Sequence, residues 1–391
     1  MKSSTPKKVN RRRIIVLCAL VILFVTLIVL KSSTSVCEFF ATTFSRAWIF
    51  LFGNLFGWIP VSLYELLLIA VLVGIAVFFA LLIKNVAKRR RQKLLSLVLV
   101  AAITLFAFFD VYVATASFAY NREELPKTVY REYDPADFSY EQACALAETF
   151  VQRANQAYSA TVHDETGNVV YPFTFGKLSE MLAEEYKGLD DDYFSSYTPR
   201  GKRIVNKWIM SQLHVSGVFF APFGEANVNG NENSLYLPYV LAHEMAHGKG
   251  VMREYDADLV AFFVTITSDN PYLNYGSFVK AAFAALNLLK LYPNSLQTYN
   301  QLYDKLERGI LTERRNYEEF YGQFTLLDGL GEFLNDVYLK LQKQDGTNSY
   351  VKPSQTEFTG EKDDFGIDVV RILRFSGTQN MLIHLVNLGL V

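Results

Sequence analysis

One stretch of sequence decides the fold of most of this chain: Leu241-Ala-His243-Glu244-Met-Ala-His247-Gly248-Lys-Gly250-Val-Met-Arg253-Glu254-Tyr-Asp256-Ala-Asp258. His243 and His247 are four residues apart, so a helix places both imidazoles on one side, where they can hold a metal ion. Glu244 comes directly after His243 and can therefore reach a water on that ion without being a ligand itself. Two imidazoles and one further ligand would leave a position open for water. The pattern therefore predicts a catalytic metal site on a core helix.

Two glycines mark the end of this predicted helix. Gly248 and Gly250 follow the second histidine, and Gly is the usual residue just past a helix C-terminus. A second helix is predicted after them, and on it Glu254 and Asp258 lie four residues apart and share one face. That face suits one carboxylate that binds the metal and another that accepts a hydrogen bond from a metal-bound imidazole.

Three acids compete for the role of third ligand, namely Glu254, Asp256 and Asp258. At ~100° per residue, Asp256 points roughly 200° away from Glu254, so we expect Asp256 to be exposed. Glu254 is nearest to the glycines and has the longest side chain, so we expect it to bind the metal. Asp258, one turn further on, is expected to orient His243 or His247.

Three apolar runs occupy the first third of the chain. They cover residues 14–30, 66–83 and 94–109, and the last extends with one acid to Tyr120. Each is long enough to cross a hydrocarbon core ~30 Å thick. No clear Ala-x-Ala cleavage site follows the first run, so we interpret it as an uncleaved span rather than a signal peptide. Residues 1–120 are therefore predicted to form a membrane domain with three transmembrane helices.

The basic residues of this membrane domain form two main clusters. Residues 7–13 contain five Lys and Arg residues, and residues 84–93 contain six and no acid. Because Lys and Arg are retained on the cytoplasmic side, both clusters are predicted to lie inside and residues 121–391 outside. Aromatic residues recur at helical spacing in residues 39–58, which predicts an additional interfacial helix at the outer surface.

The second predicted domain, residues 121–391, is acidic. Of the chain's 38 Lys and Arg residues and 39 Asp and Glu residues, 14 and 3 lie in residues 1–120, which leaves 24 basic and 36 acidic residues after them. An acidic domain argues against nucleic acid as a partner, because binding to phosphates needs clustered Lys and Arg. The three cysteines are spaced too widely to predict a disulfide framework or a Cys-based zinc site.

The second domain is predicted to be mostly helical with a small sheet. A helix is expected to begin at Asp137 or Ser139, either of which could cap it, and to end near Tyr158. Further helices are expected over residues 207–213, 278–291 and 315–341, a strand over 215–220 and an extended segment over 225–229. The predicted fold class is thus membrane helices plus α+β.

The HExxH…ExxAD pattern resembles that of the gluzincin metallopeptidases, in which the Glu of a downstream ExxxD supplies the third zinc ligand. The layout also resembles a bacterial family of membrane proteins of unknown function that is predicted to be zincin-like. The segments that carry this resemblance are Ser216-Gly217, Pro222-Phe223, Gly224-Glu225-Ala226-Asn227-Val228-Asn229, the HEMAH helix, Arg253-Glu254-Tyr-Asp-Ala257-Asp258 and Tyr338-Leu339-Lys340. The resemblance implies a zincin-like domain on the outer face of a bacterial cell membrane, in a multi-pass protein.

The zincin motif implies hydrolysis of a peptide bond with Zn²⁺ as cofactor. His243, His247 and Glu254 are the expected metal ligands. Glu244 is the expected general base.

The substrate is expected to be a peptide or protein. An extended substrate could pair with an edge strand, for which residues 215–220 and 225–229 are the candidates. A donor is also needed for the oxyanion of the reaction, and Tyr338 and Tyr350 are the candidates for it.

Two other classes of protein fit the same sequence. A non-catalytic zincin-fold sensor or peptide-binding membrane protein would have no need of a base, so the presence of Glu244 favours an enzyme. A structural membrane protein, in which the second domain is a scaffold, would bind no zinc. Neither the oligomeric state nor the preferred cleavage sequence follows from any motif.

The two basic clusters generate a prediction about topology. A reporter fused after Tyr120 or at Val391 should be active only outside the cytoplasm, whereas a reporter in the 84–93 loop should be active only inside, because positive loops are retained. A cytoplasmic signal from the fusion at Val391 would contradict both the predicted location and the number of spans.

Overall fold

The computed structural model describes residues 6–189, 192–327, 329–344, 346, 354–362 and 368–389. Contacts within the chain divide it into two compact units. The first consists of Met1–Glu123 together with Phe220–Glu225, and the second consists of Glu124–Phe219 and Ala226–Val391.

The first unit is built from helices. In chain order they are α1 (Pro6–Leu30), α2 (Thr34–Phe40), α3 (Arg46–Gly57), α4 (Leu63–Ala87) and α5 (Arg91–Thr115), with a π-helical stretch, Ala41–Ser45, between α2 and α3. Helix α1 from Val9 onward, α4 and α5 are long and apolar enough to cross a membrane. Their apolar side chains are largely exposed, as expected of helices that contact lipid. Each of the three predicted apolar runs therefore lies within one long helix, although α5 ends at Thr115 and the predicted extension to Tyr120 goes beyond it.

Helices α1 and α5 pack along each other. Phe24 on α1 lies against Phe106 on α5 with ring centres 5.7 Å apart, and Asn10 Nδ2 donates a hydrogen bond to the carbonyl oxygen of Gln92 at 3.2 Å. The helix predicted over residues 39–58 lies in a continuous helical run, which consists of α2, the π-helical stretch and α3. Its location at the membrane surface stays a prediction.

The second unit contains ten further helices among its described residues. They are α6 (Tyr140–Ser159), α7 (Phe175–Tyr186), α8 (Lys207–Gln212), α9 (Leu237–Gly248), α10 (Glu254–Ile266), α11 (Pro271–Leu289), α12 (Leu296–Tyr303), α13 (Arg308–Gly322), α14 (Leu330–Leu341) and α15 (Gly377–Asn387). The strands are β1 (Gly201–Ile204), β2 (Gly217–Phe220), β3 (Glu225–Asn229), β4 (Gln355–Lys362) and β5 (Asp368–Arg374). The domain after the membrane helices is therefore mostly helical with small sheets, as predicted.

The central strand of the main sheet is β3, with β1 on one side and β2 on the other. Strand β1 runs parallel to β3, with Gly201 opposite Ala226 and Ile204 opposite Asn229. All five residues of β3 are buried. The candidate edge strand at 225–229 was therefore a wrong prediction, because hydrogen bonds to two neighbours occupy both of its sides, whereas β2 lies at the edge of the described sheet.

The core of the second unit surrounds α11, which packs against α6, α9, α10 and α15. Glycine allows one of these approaches, because a Cβ at Gly276 would lie 3.1 Å from the carbonyl carbon of Leu235, just before α9. Helix α6 begins at Ser139, whose hydroxyl and Gln142 form a reciprocal capping box. Of the two predicted caps, Ser139 is therefore the right one.

One helical prediction needs correction. The helix predicted over 315–341 is interrupted between α13 and α14, where Gly329 has a φ of 74° in the left-handed region that favours glycine. Strand β1 was not predicted from the sequence, because it depends on long-range pairing with β3.

Candidate metal centre

Helix α9 carries the HExxH residues inside the core. Its sequence begins Leu-Pro, and proline in the first turn suits a helix start because its missing N–H needs no partner there. Leu241, Ala242, Met245 and Ala246 are fully buried, so the helix is packed on both sides of the motif. His243, Glu244 and His247 are themselves buried, with 5–8% of each residue exposed.

The chain turns sharply after α9. The helix ends at Gly248, and Gly250 has a φ of 91°, in the left-handed region that L side chains rarely adopt. Gly248 also has no room for a side chain, because a Cβ there would lie 2.5 Å from Cδ of Pro199. The turn brings Glu254, the first residue of α10, back to the histidines.

Three potential ligand groups meet at this turn. His243, His247 and Glu254 are buried, and one ligand atom from each lies within 4.8 Å of the others. Glu254 Oε2 lies 3.2 Å from His243 Nε2 and 3.6 Å from His247 Nε2. The structure thus brings together the three predicted metal ligands in a group that could hold a metal ion.

Hydrogen bonds orient both imidazoles. His243 Nδ1 donates to Asp258 Oδ1 at 3.0 Å, and His247 Nδ1 donates to the carbonyl oxygen of Val251 at 2.7 Å. A carboxylate and a carbonyl can only accept, so each Nδ1 carries the proton. Both Nε2 atoms are therefore directed at Glu254. Val251 was missed by sequence analysis because a main-chain carbonyl has no signature in the sequence.

Asp258 is itself held by neighbours that sequence analysis did not identify. The Tyr239 hydroxyl donates to Asp258 Oδ1 at 2.7 Å, and the Lys280 ammonium lies 3.8 Å from the centre of the Tyr239 ring. Burial would raise the pKa of Asp258, but the positive charge of Lys280 and the hydrogen bond from His243 lower it. Asp258 therefore stays ionised and accepts from the imidazole.

The ionisation of the cluster follows from burial and close opposite charges. Burial alone would raise the pKa of Glu254, but the charge of His247 and the hydrogen bonds from both histidines lower it to about 2. For His243, burial opposes the charged form, yet the hydrogen bonds to Asp258 and Glu254 raise its pKa well above the ordinary value. The site therefore attracts positive charge.

Glu244 lies beside this cluster against β2. Its carboxylate accepts a hydrogen bond from the main chain of Phe219, while its Oε2 is buried with no hydrogen-bond partner among the described residues. A Cβ at Gly217 would lie 2.7 Å from the carboxyl carbon of Glu244, so glycine is required there. Burial raises the pKa of Glu244 to about 7, although the positive charges of the two histidines oppose this shift.

One acid differs from its prediction. Asp256 was expected to be exposed, but it is buried, and its Oδ2 forms an ion pair with Nε of Arg253. The helical angle is as predicted, but other parts of the fold cover that face of α10 as well. Asp256 thus belongs to a structural ion pair, and its carboxylate is committed to Arg253.

These contacts do not test whether Tyr338 or Tyr350 donates a hydrogen bond to the oxyanion. Tyr338 lies on α14 with 36% of its surface exposed. Tyr350 lies outside the described residues. The role of Tyr338 therefore stays a prediction.

The sequence matches the family described as Protein of unknown function (DUF3810) over residues 40–353, so the chain belongs to this family. The match includes α4, α5, the main sheet and all residues of the candidate metal centre. Comparison with curated proteins gives no match. Comparison with solved structures gives no match either.

Proposed function

We propose that this chain is a membrane-anchored zinc metallopeptidase in which His243, His247 and Glu254 bind the ion and Glu244 is the general base. One observation carries the proposal. Three buried ligand groups converge to within 4.8 Å beside a buried carboxylate whose Oε2 has no hydrogen-bond partner among the described residues. Buried polar atoms are usually paired, so an unpaired oxygen next to a ligand cluster indicates a functional group.

The donor set fits zinc. Two imidazole nitrogens and one carboxylate oxygen are the ligands typical of catalytic zinc sites, which keep a fourth position open. Zinc bonds of about 2.0–2.2 Å at tetrahedral angles put neighbouring ligand atoms ~3.3 Å apart. The distances from Glu254 Oε2 to the two Nε2 atoms, 3.2 and 3.6 Å, are close to that value. The acceptors on both Nδ1 atoms leave the Nε2 lone pairs available for the ion.

The proposed chemistry divides between the ion and the chain. Zinc would supply Lewis-acid chemistry, which makes water a stronger acid and polarises the scissile carbonyl. The carboxylate of Glu244 would remove the proton from the attacking water at Oε2 and later donate it to the leaving amine. Both transfers need one group that can accept and then release a proton, and a carboxylate next to the proposed ligands can do so.

The position of β2 supports the proposal that the substrate is an extended peptide. This strand is at the edge of the described sheet and its residues Gly217 and Phe219 contact the proposed base. An extended peptide that pairs with β2 would place its main chain beside Glu244. We keep Tyr338 as the candidate donor to the oxyanion.

The proposed location rests on the distribution of charge. Three helices can cross a membrane, and basic residues cluster before the first of them and between the second and third. We propose a multi-pass protein of a bacterial cell membrane, with the second unit on the extracytoplasmic side.

Zinc titration of acidic variants tests the ligand assignment. Glu254→Ala should abolish stable zinc binding because it removes a ligand. Asp258→Asn should weaken zinc binding roughly 10–100-fold, because the amide no longer holds the Nδ1 proton of His243 as a carboxylate does. Asp256→Asn is the matched control and should leave zinc affinity near that of the wild type. Normal affinity in Glu254→Ala with loss in Asp258→Asn would reverse the two roles.

Peptide hydrolysis by a base variant tests the proposed activity. Glu244→Gln should retain zinc but lose hydrolysis by a factor of roughly 10²–10⁴, because the amide cannot accept the proton. The control is Glu313→Gln, which replaces another fully buried carboxylate that accepts from Val169 N and the Tyr275 hydroxyl outside the cluster. Hydrolysis by Glu244→Gln at the wild-type rate would rule out Glu244 as the base.

A further inference from the structure

The turn between β2 and β3 belongs by its contacts to the first unit. Residues 220–225 cluster with Met1–Glu123, while Phe219 and Ala226 on either side cluster with the second unit. The Trp48 indole N–H donates to the carbonyl oxygen of Pro222 at 3.1 Å. We call residues 220–225 the clasp turn.

Two aromatic side chains of the clasp turn, Phe220 and Phe223, pack against aromatic rings of the first unit. The Phe223 ring meets the Phe56 ring edge-on, with centres 5.5 Å apart. The Phe220 ring lies 5.1 Å from that of Tyr64, between ring centres. Edge-on and tilted aromatic pairs add to the gain from burial and restrict orientation.

Glycine makes a close main-chain contact possible at the clasp turn. Gly224 has a φ of 63°, and a Cβ on it would lie 2.9 Å from Cα and N of Gly53 and from the carbonyl oxygen of Ile49. No side chain fits between these main-chain segments. The turn therefore lies directly on the backbone of α3.

Glu225 closes the clasp turn with a buried charge. The residue is 1% exposed, and its Oε2 accepts hydrogen bonds from Leu63 N at 3.0 Å and Tyr64 N at 3.2 Å. These are main-chain N–H groups of the first turn of α4, which have no partner within the helix. The positive end of the helix dipole also stabilises a carboxylate at this position. Charge-assisted hydrogen bonds of this type are among the stronger ones in proteins.

The clasp turn leads directly into the strand that contacts the proposed base. Strand β2 has four residues and ends at Phe220, the first residue of the turn. Two residues of β2 contact Glu244, Gly217 through close packing and Phe219 through its main-chain hydrogen bond. A short edge strand has few hydrogen bonds of its own to hold it.

We infer that Glu225 is a positioning residue for Glu244, because it anchors the turn that holds β2 against that carboxylate. The inference rests on the proposed function for the role of Glu244. It gives a role to Gly224 and Glu225, neither of which belongs to the group of three potential metal ligands.

Hydrogen exchange on the full-length chain in lipid nanodiscs tests the inference. Glu225→Gln should speed amide exchange in residues 217–219 roughly tenfold, because the amide cannot replace both charge-assisted bonds. Trp48→Phe, which removes the N–H donated to Pro222 together with part of the aromatic ring system, should act on the same residues. Asp134→Asn is the matched control, since Asp134 is an exposed carboxylate that caps a helical turn at Ala136 N. Exchange in the core helix α11 should not change in any variant.

Two outcomes would overturn the inference. One is wild-type exchange in residues 217–219 of Glu225→Gln and Trp48→Phe. The other is faster exchange in α11 as well, which would make Glu225 a residue of general stability.

Kinetics separate this inference from the proposed function. Glu225→Gln should keep its zinc and lower kcat roughly 10–100-fold, since the base would be misplaced rather than removed. A wild-type chain that hydrolyses no peptide would refute the proposed function, while the exchange result would still decide whether the clasp turn holds β2. An active wild type with unchanged kcat in Glu225→Gln would refute the positioning role alone.

Discussion

The hydrogen bond from His243 Nδ1 to Asp258 Oδ1, 3.0 Å long, is the interaction on which the candidate metal centre depends most. It places the proton on Nδ1 and so directs Nε2 toward Glu254, and the Val251 carbonyl does the same for His247. The buried carboxylates of the site also need positive charge nearby. Glu244, Glu254 and Asp258 are three largely buried carboxylates, and burial of unbalanced charge is costly. A divalent cation between the ligands, together with the ammonium of Lys280 near Asp258, would neutralise all three.

A short connection builds this arrangement. Only six residues separate His247 from Glu254, and the left-handed conformation of Gly250 lets the chain reverse within them. The carboxylate of Glu254 then reaches both histidines from the first residue of α10, and Asp258 follows one turn later on the same face. The short spacing between His247 and Glu254 therefore requires the tight turn that Gly250 allows.

Much of the candidate metal centre could be predicted from the sequence because its geometry is local. The four-residue spacings of His243 with His247 and of Glu254 with Asp258 follow from the helix alone, and apolar length identifies the three spans. Features that depend on tertiary contacts could not be predicted. The burial of Asp256 requires knowledge of what covers α10, and the central position of β3 comes from its pairing with β1, which lies more than twenty residues earlier.

The requirement for glycine at position 217 is a further example, because it arises only from the packing of β2 against α9. Membership of the DUF3810 family assigns no activity to the chain. We propose that the cluster of His243, His247 and Glu254 is a zinc site. X-ray absorption at the zinc edge of the purified full-length chain tests it most directly. We expect bound zinc with two imidazole nitrogens and carboxylate or water oxygens at about 2.0–2.2 Å, and loss of this signal in His247→Ala. A chain that binds no zinc, or zinc bound through sulfur, would contradict the account.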